Sequence, residues 1–384
     1  MRTRKDFGFG VEAEYLLVRH RDLRPLWYRD VSFESLVGIF DTIPLGDLPA
    51  VSGLYPNPPH REGSPFIVEG YHSHDATGRV TGISPKGVEI RTPKTSQLGD
   101  CLAWLEVLHR RLQSALIAAD LRAVAISHHP IEDAFEGPQG PRAAAFWPWA
   151  MQAMTTYGPD FNVSLPDELH ARLDLAALER RVNYYAPALT ALTLASPFHR
   201  GDLWRTGRGK EIGRSYRTFR RSRVGEPLEL HPDQEWRLEF KPLEMPRRMA
   251  DFRNGFLFWL ELLLDPSLPG EATAENRRES LLRLAQEGLA DPQLRARAQT
   301  VIDGAARTLP AWGFGVASLA LAQERLDKVR TPADEMIELF LNSGSIAAVL
   351  DRASYLISEE GDEHEESTDD RVPVWTGSRV PAGR

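Results

Sequence analysis

Along this chain, four stretches alternate apolar residues with polar or charged ones, and a carboxylate recurs at the polar places. They are Val11-Glu12-Ala13-Glu14-Tyr15, Val88-Glu89-Ile90-Arg91, Asp160-Phe161-Asn162-Val163-Ser164 and Arg237-Leu238-Glu239-Phe240-Lys241. A β-strand sends residues i and i+2 to the same side, so each stretch predicts a strand with one apolar face and one polar face. If the four share a sheet, helices cover the apolar side, and Glu12, Glu14, Glu89, Asp160 and Glu239 gather on the other. One such strand alone would read as a solvated outer face. Repetition over four favours a site.

Elsewhere the period changes. The first strand is predicted over 7–18, and a hairpin follows, with Ile67-Val68-Glu69 paired to 80–91 and with His72, His74 and a turn at Gly78 between. From Ser96 the apolar residues Leu98, Leu102, Leu105, Leu108, Leu112 and Leu116 recur at helical spacing. Further strands are predicted over 121–127, 155–165 and 234–242, with helices over 173–196, 246–264 and several shorter ones through 272–357. Strands and helices mix without a regular βαβ alternation, which predicts an α+β fold with a largely antiparallel sheet, acid-lined on one face and packed on helices at the other. The Pro- and Gly-rich stretch 44–65 and the Gly-, Pro- and Trp-rich stretch 137–149 read as loops. No linker divides the core, so 1–357 is expected to be one catalytic domain. Residues 358–384 are rich in acids and poor in core formers, and are expected to be a disordered tail.

Composition narrows the field. The 384 residues are 42% hydrophobic, enough for a real core, and carry a formal net charge of -8. That charge argues against general binding to nucleic acid or anionic membranes. No stretch approaches the ~20 uninterrupted apolar residues of a membrane helix, and the charged start lacks a signal-peptide core. A cytoplasmic protein is expected. The lone Cys101 excludes an intrachain disulfide and, lying in an apolar helix, reads as a buried structural thiol.

Candidate chemistry follows from the acids. Gathered carboxylates repel one another unless cations lie between them, and hard oxygen donors suit Mg²⁺ or Mn²⁺. Arginines crowd the stretch 201–224, the most basic of the chain. Gly207-Arg208-Gly209-Lys210 lacks the spacing of a P-loop. His72 and His74 have chelating spacing but no third ligand nearby, and His128 and His129 are as well explained by structure as by a cleft. The cluster Phe146-Trp147-Pro148-Trp149 is open between adenine stacking and packing.

Several motifs in order resemble a known family. Gly10-Val11-Glu12-Ala13-Glu14, Val88-Glu89-Ile90-Arg91-Thr92-Pro93, Ser127-His128-His129-Pro130, Ala195-Ser196-Pro197 with Ser215-Tyr216-Arg217, and Trp236-Arg237-Leu238-Glu239 are similar to the glutamate-cysteine ligase type of carboxylate-amine ligases. The resemblance spans roughly 7–265 and implies a glutamine-synthetase-like fold. It further implies an ATP-dependent ligase that forms an amide between an amino-acid carboxylate and an amine through an acyl phosphate. On that resemblance Glu12, Glu14, Glu89, Asp160 and Glu239 hold Mg²⁺ or Mn²⁺. Arg91, Arg217 and Lys241 neutralise phosphate and substrate, and Arg217, Lys241 and Asn162 face the nucleotide. The implied partners are a small-molecule amino acid and an amine, with homo-oligomerisation left open. Two departures stand out: Asp160 replaces an expected histidine, and Lys241 an expected arginine, which loses the planar fork that grips phosphate. A guanidino kinase of related fold and a non-catalytic scaffold are the rival readings.

Overall fold

The computed structural model describes residues 5–46, 48, 60, 63–75, 77–136, 152–207 and 211–358. Most of the 44–65 loop, the 137–149 loop with its aromatic cluster, Arg208 to Lys210 and the acidic tail beyond Ser358 lie outside them. The strands are β1 (Gly8–Arg19), β2 (Phe66–His74), β3 (Val80–Arg91), β4 (Leu121–Val124), β5 (Pro159–Ser164), β6 (Phe198–His199), β7 (Asp202–Leu203), β8 (Leu228–His231) and β9 (Arg237–Phe240). The helices are α1 (Phe33–Phe40), α2 (Leu98–Ala118), α3 (Asp167–His170), α4 (Leu175–Ala191), α5 (Tyr216–Arg221), α6 (Met249–Leu264), α7 (Ala274–Glu287), α8 (Pro292–Thr308), α9 (Leu319–Lys328), α10 (Pro332–Ser343) and α11 (Ile346–Ala353).

All pairings in the main sheet are antiparallel, in the order β2-β3-β1-β5-β9-β8, and β4 extends β1. The largely antiparallel α+β architecture is thus the one predicted. Strand β1 lies at its centre because its alternation serves two environments. Phe9, Val11, Ala13, Tyr15 and Leu17 are buried against α2 and α6, while Glu12 and Glu14 point the other way. Helix α2 offers Leu98, Leu102, Leu105, Leu108, Leu112 and Leu116 along one stripe, with Cys101 buried among them. Burying one such side chain contributes about 1.5–3 kcal/mol. Helix α6 is apolar nearly all round and lies deepest: Phe256 meets the ring edges of Phe9 and Phe161, and Trp259 stacks on Phe240. Beyond Glu14 the β1 residues Leu16 and Val18 join Val124, Ile337, Val349 and Leu350 in a smaller core.

Several expected boundaries move, each for a visible reason. Helix α4 stops at Ala191 instead of running to Ser196, because the Ala195 amide and the Ser196 hydroxyl are drawn to the Glu244 carboxylate. Strand β9 begins at Arg237, since Glu235 and Trp236 both take left-handed backbone angles and turn the chain back from β8. Strand β2 continues through His74, so His72 and His74 are strand residues and not part of the turn. Strand β4 ends at Val124, three residues short of the prediction. Among the described residues no helix is long and apolar enough to cross a membrane.

Candidate functional site

The antiparallel register brings the sequence-predicted acids together. Glu12 stands opposite Arg91 on one side and Asp160 on the other, Glu14 opposite Glu89, and Asn162 opposite Glu239. In such pairs opposing side chains share a face, and Glu12, Glu14, Glu89, Arg91, Asp160 and Glu239 line one cleft of about 1130 Å³, with Asn162 bonded beside them. Five residues that sequence reasoning gave no role join them. Glu69 comes from β2, Lys86 from β3, Glu229 and His231 from β8, and Arg237 from β9.

Ion pairs knit the face. Arg91 bonds Glu89 through Nε and lies 3.6 Å from Glu12. Arg237 Nη1 is 3.3 Å from Glu12, 3.1 Å from Glu239 and bonded to the Asn162 side-chain oxygen. The Asn162 amide nitrogen faces Glu12 at 3.4 Å, so this side chain is occupied within the acid array. Lys241 Nζ reaches Glu239 at 2.6 Å, Glu229 at 3.1 Å and Asp160 at 3.4 Å. His231 Nε2 is 2.7 Å from Glu239.

Titration reflects this crowding. Burial pushes the Glu89 carboxyl well up despite Arg91 beside it, and pushes Asp160 well up despite Lys241. Glu239 goes the other way: burial raises it, but the His231 bond, Lys241 and Arg237 together hold it well below the usual range. The upward shifts mark carboxyls short of solvent, and the downward one marks a carboxylate enclosed by cations.

Carboxyl groups outnumber cations in the cleft. Its lining carries eight, Glu12, Glu14, Glu69, Glu89, Asp160, Glu226, Glu229 and Glu239, against the five cations Lys86, Arg91, Arg217, Arg221 and Lys241, with Arg237 a sixth beside Glu12. Two clusters have ligand atoms within 4.8 Å of one another, Glu229-His231-Glu239 and Glu14-Glu69-Glu89. Hard oxygen donors with one imidazole fit Mg²⁺ or Mn²⁺.

At one end stands Arg217, on the short helix α5. Ser215 caps that helix by accepting from the Thr218 amide, and Glu244 anchors the cap from beneath. Glu244 is fully buried and accepts from the Ala195 amide at 2.6 Å, the Ser196 hydroxyl at 2.8 Å and the Thr218 hydroxyl at 2.6 Å, as well as from Ser215. Arg217 itself is only 4% exposed, yet among the described residues its one hydrogen bond is a 3.4 Å contact to the Pro242 carbonyl, and Nε has no partner there. Burial lowers it to about 10, with Arg221 adding to the effect and Glu244 opposing it. Space for its guanidinium depends on Gly158, where a Cβ would come 2.6 Å from Nη2. A buried guanidinium with unused donors suits an anion.

The other sequence candidates fall elsewhere. His72 and His74 line the cleft. His128 and His129 are buried outside it, and burial lowers both. The Cys101 thiol is buried beside Thr92 and pushed up to about 12, as a structural thiol should be.

The arrangement of sheet and helices has counterparts of known structure. Three solved structures share it. A bifunctional glutathione synthetase from Pasteurella multocida aligns with TM-score 0.57 at 15% identity over 91% of this chain and 51% of that one. The ligase PafA, solved with the prokaryotic ubiquitin-like protein Pup, aligns with TM-score 0.52 at 10% identity over 91% and 72%. Glutamate-cysteine ligase from Francisella tularensis, solved with AMP, aligns with TM-score 0.52 at 12% identity over 92% and 89%. This chain thus spans about half the length of the glutathione synthetase. No protein-family model and no curated protein sequence matches it.

Proposed function

We propose that the protein is an ATP-dependent ligase that joins an amino-acid carboxylate, with the γ-carboxylate of glutamate as first candidate, to an amine. The observation that carries this is the pairing of a carboxylate-rich cleft with a buried Arg217 at its end whose Nε has no partner. In the reaction, a substrate carboxylate oxygen takes the γ-phosphoryl group and ADP leaves. The amine nitrogen then attacks the acyl carbon and loses a proton as inorganic phosphate departs.

Glu12, Glu89, Asp160 and Glu239 would hold divalent cations, with Glu229 and His231 added at the sheet edge, while both Glu14 oxygens are engaged by Lys86 at 3.0 Å. Bound there, such ions supply charge to offset the phosphates during transfer. Arg217 binds the phosphate or the acyl phosphate, where positioning matters more than covalent help. Arg91, Arg237 and Lys241 keep the acids apart and aligned. The similarity to ligase structures, one of them holding AMP, supports the reading.

Incubation with ATP, Mg²⁺ and a pool of amino acids and amines tests it. ADP, free phosphate and a condensation product found by mass spectrometry in equal amounts are expected, and no ADP release under any mixture would sink the proposal. ADP with a phosphorylated acceptor and no free phosphate would indicate a guanidino kinase. Calorimetry that finds no nucleotide binding would favour the scaffold. Glu239→Gln should lose about 1000-fold in ATP-dependent rate if its charge serves a metal, with circular dichroism unchanged.

A further inference from the structure

The residue that sequence periodicity hides best is Lys86. In the β2–β3 ladder Glu69 pairs with Gly87 and Gly70 pairs with Pro85, so Lys86 is an extra residue with no partner across the strand. Strict alternation would send it to the same side as Val88 and Ile90, which are in the core. The bulge re-aims it into the acid-lined cleft.

The bulge is held in place on several sides. Gly70 gives it room, since a Cβ there would come 2.1 Å from the Ser84 carbonyl oxygen. The Tyr157 hydroxyl donates to the Lys86 carbonyl at 2.8 Å. The ammonium is fixed independently of the acids by the Thr156 carbonyl at 2.9 Å and the Ala153 carbonyl at 3.4 Å. It then meets both oxygens of Glu14 at 3.0 Å and Glu69 at 3.7 Å, and is only 6% exposed. A lysine so anchored is not a surface chain that drifted toward negative charge.

We propose that Lys86 is a built-in cation that occupies the Glu14-Glu69 corner of the cleft, so that divalent ions bind only at the remaining acids. This rests on the reading that the cleft takes divalent ions. The physical ground is mutual exclusion. A compact +1 charge lying between two carboxylates satisfies the oxygens an ion would need, and repels a second cation brought to the same place. Glu14, Glu69 and Glu89 have the oxygens for an ion of their own, with their ligand atoms within 4.8 Å of one another. Lys86 closes that corner.

The test counts ions. The full chain without nucleotide is titrated with Mn²⁺, and free ion is read by electron paramagnetic resonance. Lys86→Met keeps the length and removes the charge, and is expected to bind one more Mn²⁺ per chain than the native protein. Adding Glu69→Gln to that variant should return the count to the native value. Glu69→Gln alone, which leaves the bulge untouched, should not change the native count, and it decides the matter if the Lys86 variant does not fold. An equal count for native and Lys86→Met, or the loss of one ion from Glu69→Gln alone, would overturn the proposal. A native chain that binds no Mn²⁺ at all speaks against the metal chemistry of the ligase reading, whereas the difference between native and variant still decides the role of Lys86.

Discussion

Arg325 and Arg217 are both buried arginines on helices, and they differ in what they touch. Arg325, 8% exposed, grips Asp251 with two bonds of 2.6 and 2.8 Å and donates to the Leu192 carbonyl at 2.8 Å. It ties α9 to α6. Arg217, 4% exposed, has one long bond to a carbonyl and a bare Nε. A buried charge without a close partner costs free energy, and unrelieved cost of that kind concentrates at binding sites. The helical side of the molecule spends its buried charge on architecture, and the cleft holds some in reserve.

Substitutions should separate the two regions. Asp251→Ala is expected to cost about 3–5 kcal/mol of stability by stranding the Arg325 charge, measured by urea unfolding. Arg217→Met should do the reverse, leaving the melting temperature level or higher while the ATP-dependent rate falls about 100- to 1000-fold. If Arg217→Met unfolds the protein and Asp251→Ala spares it, the distinction is false.

Acids sharpen the contrast through pH. Glu261 on α6 lies outside the cleft, where burial and then the negative charge of Asp265 push it up to about 8. The fold favours its protonated form, so its contribution is complete below the ordinary carboxylate value and is lost as pH rises through about 8. The native melting temperature should therefore drop between about pH 4.5 and 8 by linkage, and less so in Glu261→Gln. Glu239 has the opposite sign: held low, it contributes above the ordinary carboxylate value and loses that contribution as acid protonates it. The smallest effect belongs to the surface pair Arg29–Glu136, 2.6 Å apart but well exposed. Arg29→Ala should leave the melting curve unmoved.

The sheet and most of its acids were legible because strand geometry has a period of two. Glu12, Glu14, Glu89, Asp160 and Glu239 each sit between apolar neighbours that fill the core, so packing fixes which way they point. Glu229 and His231 follow the same rule in Leu228-Glu229-Leu230-His231, but four residues are too short to stand out beside a basic loop. Lys86 breaks the rule, since a register shift is a relation between two strands and no single strand records it. Arg217 was reached through resemblance, because its importance lies in burial without a partner, which depends on Gly158 and Glu244 from distant parts of the chain.

The bulge at Lys86 has a consequence at the level of the gene. Deleting a single codon between Ser84 and Gly87 would let the β2–β3 ladder close without interruption, and the residue then preceding Gly87 would turn toward the core. Every acid of the cleft would survive such a change, yet the face would carry one more uncompensated negative charge. Chain length at that point sets the ionic demand of the cleft as surely as any acidic residue in it.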